Sequence, residues 1–417
     1  MSSQAKIIIL LGDGLGDRPV AELDGRTPLE AQSTPSLDRL AAEGVCGMMN
    51  PISHGRRVGS DTAHMAILGY DPFANYKGRG PFEAKGVGID VLPGDLAFRC
   101  NFSTVEGRRV TDRRAGRIKE GTDELAAAVN EHAGLIDGVQ CIFRESVEHR
   151  AALVLRGADL DHRVTEVDPH HEGAEYPDCE PLPEATDIPS AVRTAVIVNK
   201  WVQAAHEALE AHPVNQRRRA EGLPPANIAL PRGVGTAVHL EPFAGRYGLD
   251  GAMIVEVDLV RGLGLYLGMT VVEVPGATGG KDTDELAIAR AIVTALENHD
   301  FVLANIKAPD LAGHDGDARQ KMGAIAKLDS AVAHLLQNID FSCTTILVTG
   351  DHCTPVTYGD HTGDAVPAVF YGLGVRPDLV TSFGERMCMQ GGLGYFTGFD
   401  VMVLLTNLAG VQEKFGA

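Results

Sequence analysis

The sequence predicts a three-layer α/β core on a mostly parallel sheet, interrupted by a smaller inserted α+β domain. Three observations carry that expectation. The chain opens with an apolar run, Lys6 to Leu11 of "AKIIILLGDGLGDRP", that passes into a glycine-rich loop, the pattern of a buried parallel strand. Three short apolar runs late in the chain, "DFVLANIKAPD" (300–310), "TTILVTGDH" (344–352) and "VPAVFYG" (366–372), alternate with helical patterns such as "DELAIARAIVTALENH" and "RQKMGAIAKLDSAVAHLLQNI". Between these halves, "DLAFRCNFSTV", "AALVLRG", "AMIVEVDLV" and "MTVVEVPG" are spaced by long polar segments, including the proline-rich "DPHHEGAEYPDCEPLPEATDIPS". The core domain is expected over 1–90 and 276–417, and the inserted domain over 91–275.

Composition narrows the class of protein. At 417 residues the chain is too long for one simple core, which favours two domains. A formal charge of −19 disfavours nucleic acid and anionic membranes as partners, so any anionic substrate needs local cations, either bound metals or clustered arginines. Apolar residues reach 44%, yet no run has transmembrane length and no charged-then-apolar leader opens the chain, so a cytoplasmic protein is expected. Seven cysteines without a C-x-x-C pair fit a reducing compartment and argue against a disulfide framework or a thiolate zinc site. Buried free thiols are the expectation.

Ligands in α/β folds collect at the carboxyl ends of the strands, and there the sequence places acids and imidazoles. Asp13 follows the first strand, Asp310 with His314 follows "VLANIKAP", Asp351 with His352 follows "ILVTG", and His361 lies nine residues further on in "GDHTGD". Each has an ordinary reading alone: Asp310 as a helix N-cap followed by a surface histidine, Asp351–His352 as a strand-end turn. Four such coincidences at one edge of one sheet are hard to assign to capping. Carboxylates with imidazoles suit Mn²⁺, Zn²⁺ or Mg²⁺, and there are too many here for one ion.

Ser60, in "PISHGRRVGSDTAHMAILGYDP" (51–72), has two readings. It is either the N-cap of a helix that begins before Met65-Ala66-Ile67-Leu68, or a serine projected from a tight turn as a nucleophile. Beside two divalent cations it would be activated for phosphoryl transfer, in which positioning and electrostatics supply most of the catalysis. Asp61 and His64 are expected to support the turn. Nucleotide binding ranks low: "GDGLGD" has Asp17 where a dinucleotide fingerprint needs glycine, and no G-x-x-x-x-G-K-[ST] loop occurs.

Eleven blocks in order carry a resemblance over nearly the whole chain: "LLGDGLGDRP", "TPLEAQSTPSLDRLAAEG", "GSDTAHMAILGYDP", "GRGPFEAKGVGID", "GDLAFRCNFSTV", "DRRAGR", "HPVN", "PGATGGKDTD", "KAPDLAGHDGD", "TGDHCTP" and "GDHTGDAVP". The chain resembles the archaeal-type cofactor-independent (2,3-bisphosphoglycerate-independent) phosphoglycerate mutases of the alkaline phosphatase superfamily. The resemblance implies an alkaline-phosphatase-like core and a phosphorylated nucleophile at Ser60. It implies two divalent ions, Mn²⁺ foremost with Zn²⁺ or Mg²⁺ as alternatives, and no 2,3-bisphosphoglycerate. One metal would be held by Asp310, His314 and His361, the other by Asp13, Asp351, His352 and the Ser60 oxygen.

The same resemblance implies an inserted domain that closes over a small phosphorylated hydroxy acid. Arg113, Arg114 and Arg117 in "DRRAGR", Arg150 in "EHR", and Arg217 and Arg218 in "HPVNQRRR" are its candidates for the carboxylate and phosphate. Lys307 is placed either to reach the phosphate or to flank a strand. The implied reaction moves the phosphoryl group of 3-phosphoglycerate to Ser60 and back to the other hydroxyl of glycerate, with water excluded. His149 is the candidate to pass a proton between the hydroxyls, and Asp112 the alternative. Rival readings are a phosphatase, a phosphonate-processing enzyme or another phosphomutase on the same metals. A binding protein that has lost catalysis would lack the nucleophile or a ligand, and neither is missing.

Overall fold

The computed structural model describes residues 5–412, 414 and 416. The chain divides into two compact units: Met1–Asn75, Glu241–Glu256 and Leu267–Ala417 form the first, Tyr76–Leu240 and Val257–Tyr266 the second. In chain order the strands are β1 (Lys6–Gly12) and β2 (Val45–Asn50). Then come β3 (Leu96–Glu106), β4 (Arg109–Asp112), β5 (Leu135–Ile136), β6 (Val139–Glu145), β7 (Arg150–Arg156) and β8 (Ile228–Thr236). They end with β9 (Gly251–Ile254), β10 (Thr270–Val271), β11 (Phe301–Ile306), β12 (Thr344–Thr349), β13 (Val366–Gly372) and β14 (Gly394–Thr397).

The first unit is built on one eight-stranded sheet, β10-β9-β11-β1-β12-β13-β2-β14, parallel except for β13. Its centre reads as continuous apolar sequence because both faces are covered. Ile7, Ile8, Ile9, Leu10 and Leu11 are all fully buried, and Ile8 and Leu10 share a core cluster with Ile288 and Ile292 of helix Glu285–Ala295 and with Ile325 and Leu328 of helix Ala318–Asn338. Both helices start on an aspartate cap: Asp284 accepts from Ala287 N, and Asp317 from Gln320 N. Leucine burial of this kind makes Leu10→Ala cost about 2–5 kcal/mol.

The second unit carries an antiparallel sheet, β4-β3-β7-β6-β5, with β8 also on β3. Helices Thr122–Ala133 and Pro189–Glu210 cover it around Trp201 and Phe143.

Three segments fall outside the expected domain boundaries. "AMIVEVDLV" as far as Glu256 and "MTVVEVPG" were expected in the inserted domain, but β9 pairs in parallel with β11 and β10 with β9, extending the first sheet. Residues 76–90, expected in the core, belong to the second unit, where helix Gly80–Gly86 packs on helix Asp258–Tyr266. Glycines make that approach possible: a Cβ on Gly86 would lie 2.0 Å from the Asp258 carbonyl oxygen, and one on Gly262 1.9 Å from that of Phe82. No periodicity in the sequence encodes which sheet a short strand joins. Six cysteines are buried free thiols, with Cys343 half-buried. No helix among the described residues is long and apolar enough to cross a membrane.

Candidate active site

Strands β11, β1 and β12 are parallel neighbours, so their carboxyl ends meet at one edge. Asp13 follows β1 directly. Asp310 lies in the first turn of helix Ala308–His314, which begins just beyond β11, and His314 comes one turn later on the same helix. The N-cap of that helix is Lys307, so Asp310 is no cap, and its carboxylate is buried. Asp351 and His352 follow β12, and both are fully buried. Potential ligand atoms of Asp13, Asp351 and His352 lie within 4.8 Å of one another, as do those of Asp310, His352 and His361. Asp310 Oδ1 is 3.5 Å from Nε2 of both His314 and His361. His314 and His361 also group with Asp360, whose exposed carboxylate pairs with Arg57 at 2.6 Å.

The three imidazoles share one arrangement. Nδ1–H of His314 donates to Gly359 O at 2.9 Å, and Nδ1–H of His361 to Val58 O at 2.8 Å. For His352 the partner is Thr354 Oγ1 at 3.1 Å, and because that hydroxyl gives its one proton to Asp310 Oδ1 at 2.7 Å, it accepts from the imidazole. Each Nδ1 is thus committed, and each Nε2 lone pair is turned toward the carboxylates. Metal-binding histidines are oriented in this way by their outer hydrogen bonds. Asp351 Oδ2 and Asn305 Oδ1 are buried with no hydrogen-bond partner in the structure, which also fits a cation at this edge.

Charge at the edge is unbalanced. Asp13, Asp310 and Asp351 are buried together, and Lys307 is the ammonium among them: Nζ stands 2.8 Å from Asp13 Oδ1 and 2.7 Å from Asp310 Oδ2. Burial, then the charge of Asp351, raises the Asp13 carboxyl above its usual range. Burial would raise Asp310 too, but the charge of Lys307 leads the influences that outweigh it and hold it low. For Lys307 burial is likewise outweighed, by Asp13 and Asp310, so the ammonium stays charged. Burial, then His361, lowers the His352 imidazole to about 3, leaving it neutral and able to ligate.

Ser60 opens helix Ser60–Ile67 as its first residue, and Gly59 is the N-cap. The capping reading of Ser60 therefore fails, since its side chain bonds no helix amide. Its Oγ lies instead 3.2 Å from His352 Nε2. His64, one turn on, donates through Nδ1–H to the Ser60 carbonyl at 2.6 Å and stands 3.6 Å from Asp351 Oδ2, so it supports the turn as expected. A helix N-terminus favours an anion on this serine.

In the second unit the candidates divide. Arg113 forks onto the buried Asp168 at 3.0 and 2.7 Å, and Arg218 donates to the carbonyls of Pro224 and Ala115 at 2.9 and 2.8 Å, so both already have internal partners. Arg217 is exposed, 3.6 Å from Glu124, and with Arg117 and Arg218 it lines a cavity of about 480 Å³. Arg150 begins β7 beside His149. Burial, then Arg150, Arg99, Arg114 and Arg117, lowers His149 to about 2, so its imidazole is neutral. Asp112, the alternative proton carrier, spends both oxygens on the backbone amides of Arg114 and Gly116 at 2.7 and 2.9 Å. It pins a turn in which Ala115 and Arg117 both have positive φ, of 45° and 54°.

The family profile described as 2,3-bisphosphoglycerate-independent phosphoglycerate mutase matches residues 41–215. The enzyme of that name from Methanopyrus kandleri is 49% identical over 421 aligned residues, covering 99% of both chains, and that from Methanosphaera stadtmanae is 47% identical over 99% of this chain and 100% of its own. The chain belongs to the 2,3-bisphosphoglycerate-independent phosphoglycerate mutase family. It is an enzyme of the isomerase class. Among solved structures, a protein from Pyrococcus horikoshii matches with a TM-score of 0.84 at 36% identity, over 99% of this chain and 100% of that one. The cofactor-independent phosphoglycerate mutase of Thermoplasma acidophilum matches at 0.66 and 38%, over 97% and 100%.

Within this phosphoglycerate mutase fold, several residues at the two sites escaped sequence reasoning. Asn305 donates to Asp13 Oδ2 at 2.8 Å. Its signal was a lone amide in the apolar "FVLANI". Thr354, two residues after His352 in "TGDHCTP", joins His352 to Asp310. Arg99, in "LAFRCNF" of β3, is buried with Nε lacking a hydrogen-bond partner and lies 3.5 Å from Glu83. Arg232 of β8 lies 3.5 Å from Asp168. Both arginines sit in strands whose other residues are mostly apolar, which is where a charge stands out.

Proposed function

We propose that this chain interconverts 3-phosphoglycerate and 2-phosphoglycerate through a phosphoserine at Ser60, with two divalent cations held by its acids and imidazoles. The observation that carries the reading is the 3.2 Å approach of Ser60 Oγ to Nε2 of His352, a nitrogen that also faces Asp13 and Asp351 at 3.5 and 3.4 Å. A hydroxyl kept for capping has no reason to face this group.

Asp13, Asp351 and His352 would hold one cation beside Ser60, and Asp310, His314 and His361 the other; when bound, such ions lower the pKa of a serine hydroxyl and neutralise charge on a phosphoryl group. The chain's own groups do the rest. Ser60 Oγ attacks phosphorus as the bond from phosphorus to the C3 oxygen breaks, and carries the phosphoryl group at a helix N-terminus that favours the anion until the C2 oxygen attacks and the bond to Oγ breaks. Lys307, held charged between Asp13 and Asp310, neutralises phosphoryl oxygens. In the second unit, the arginines whose charges act on His149, namely Arg114, Arg117 and Arg150, take the anionic substrate. Arg113 on Asp168 and Arg218 on the carbonyls of Pro224 and Ala115 hold that segment in shape, and Arg217 lines the cavity with Arg117. His149 takes the proton of the C2 hydroxyl as that oxygen attacks and passes it to the C3 oxygen left by the first transfer; anionic substrate on the surrounding arginines offsets the charges that keep the free imidazole neutral.

The test is to incubate the protein and Mn²⁺ with 3-phosphoglycerate and follow 2-phosphoglycerate and free phosphate separately. Formation of 2-phosphoglycerate without added 2,3-bisphosphoglycerate is expected. Free phosphate alone would mark a phosphatase, and neither product would mark a different substrate.

A further inference from the structure

We propose that Lys321 is a positioning residue for the metal centre, acting through Thr354 on one ligand of each cation. The proposal rests on the reading that Asp310 and His352 hold divalent cations.

Helix Ala318–Asn338 turns Ala318, Ile325, Leu328 and Leu335 to the core, and Lys321 falls on the same stripe with no exposed surface. Helical periodicity asks for an apolar residue there, which would avoid the cost of desolvating an ammonium. All three of its protons are used: Nζ donates to Gly16 O at 3.0 Å, to Thr354 O at 2.9 Å and to Asp17 Oδ2 at 2.8 Å. An ion pair with Asp17 alone would need neither carbonyl. Those two carbonyls belong to the loops after β1 and β12, which carry Asp13 and Asp351–His352. Lys321 therefore ties the two ligand-bearing loops together.

Thr354 connects this tie to the ligands. Its N–H donates to Gly16 O at 3.1 Å, while its hydroxyl donates to Asp310 Oδ1 and accepts from His352 Nδ1–H. The segment is also confined by helix Ala308–His314, because a Cβ on Gly313 would lie 2.3 Å from Thr354 O. Without Lys321, the Thr354 carbonyl loses its ammonium donor in a buried site, and the segment must shift to find another partner. The hydroxyl shifts with it, releasing the set of Asp310 and the tautomer of His352 together.

The full chain, stripped with chelator, is titrated calorimetrically with Mn²⁺ as the parent, K321M, T354V and the double variant. Each is measured at a temperature where its metal-free melting curve shows it fully folded. K321M is expected to lower Mn²⁺ affinity by about tenfold or more, as loss of outer hydrogen bonds does. T354V should do the same, and the double variant should lose no more than the worse single one, because both act on one hydroxyl. Equal affinity in parent and K321M overturns the proposal, and so do losses that multiply in the double variant. If K321M does not fold, K321Q replaces it under the same expectations. A parent that binds no divalent cation overturns the metal reading and this proposal together, whereas a binding parent with an unaltered variant overturns this proposal alone.

Discussion

Ser60 Oγ and His352 Nε2 stand 3.2 Å apart where a helix N-terminus meets a strand-end loop 292 residues away in sequence. The helix brings the hydroxyl, the loop the imidazole, and the imidazole's remaining nitrogen is already engaged by Thr354. The pair is therefore set in one orientation before any substrate arrives, which is the form of preorganisation on which phosphoryl transfer depends.

Ser60→Ala is expected to reduce turnover by about a thousandfold or more, since the group that forms the covalent intermediate is gone. Metal content should stay at the parental level, because the acids and imidazoles are untouched. Mass spectrometry of parent and variant after brief exposure to 3-phosphoglycerate would follow the phosphoryl adduct. Residual turnover near the parental rate would remove the phosphoserine from the scheme.

Stripping with a chelator should abolish activity, and Mn²⁺ should restore it. The cation should also stabilise the fold, by about 2.7 kcal/mol at a hundred times its dissociation constant, so the melting temperature rises with Mn²⁺ concentration. A chelated protein with unchanged activity and an unchanged melt would sink the two-metal site.

Lys307→Met removes the ammonium between Asp13 and Asp310 and leaves buried carboxylates without their cation. The metal-free variant should lose about 3–5 kcal/mol of stability, the usual result of removing one partner of a buried ion pair. Saturating Mn²⁺ should recover most of that loss. Urea unfolding of parent and variant, with and without Mn²⁺, tests both halves, and equal losses in the two conditions would refute the electrostatic account.

Acid should destabilise the protein through His149. Burial and the surrounding arginines push its imidazole from 6.5 to about 2, so the folded chain stays neutral there while the unfolded chain takes up a proton below about pH 6.5. Stability is then lost as pH falls from 6.5 toward 2, by up to about 1.4 kcal/mol per pH unit for this one group. His149→Gln should make the slope shallower between pH 6.5 and 4.5 in urea unfolding. Parallel slopes for parent and variant would show that the imidazole is not held neutral.

The acidic candidate ligands were legible because each stands close behind a strand along the chain: Asp13 directly after β1, Asp351 with His352 just after β12, and Asp310 in the first helical turn beyond β11. A strand that is apolar throughout and ends in an acid announces both its burial and its site. Arg99 and Lys321 were harder to read, since a single charge inside an apolar pattern resembles noise until its partners are known. β9 and β10 were misassigned for a related reason, because a strand of two to four residues carries no mark of the sheet it will join.

Sequence alone determined the α/β class, the strand-end acids and imidazoles, Ser60 as a candidate nucleophile and, through its ordered blocks, the family. These are local properties, written in periodicity and in residues adjacent along the chain. Only the tertiary structure decided that β11, β1 and β12 are neighbours, that Gly59 and not Ser60 caps the helix, and that Arg113, Arg218 and Asp112 are already bound within their own unit. Those outcomes depend on hydrogen bonds and ion pairs between residues up to hundreds of positions apart, and they are selected by the packing of the whole chain.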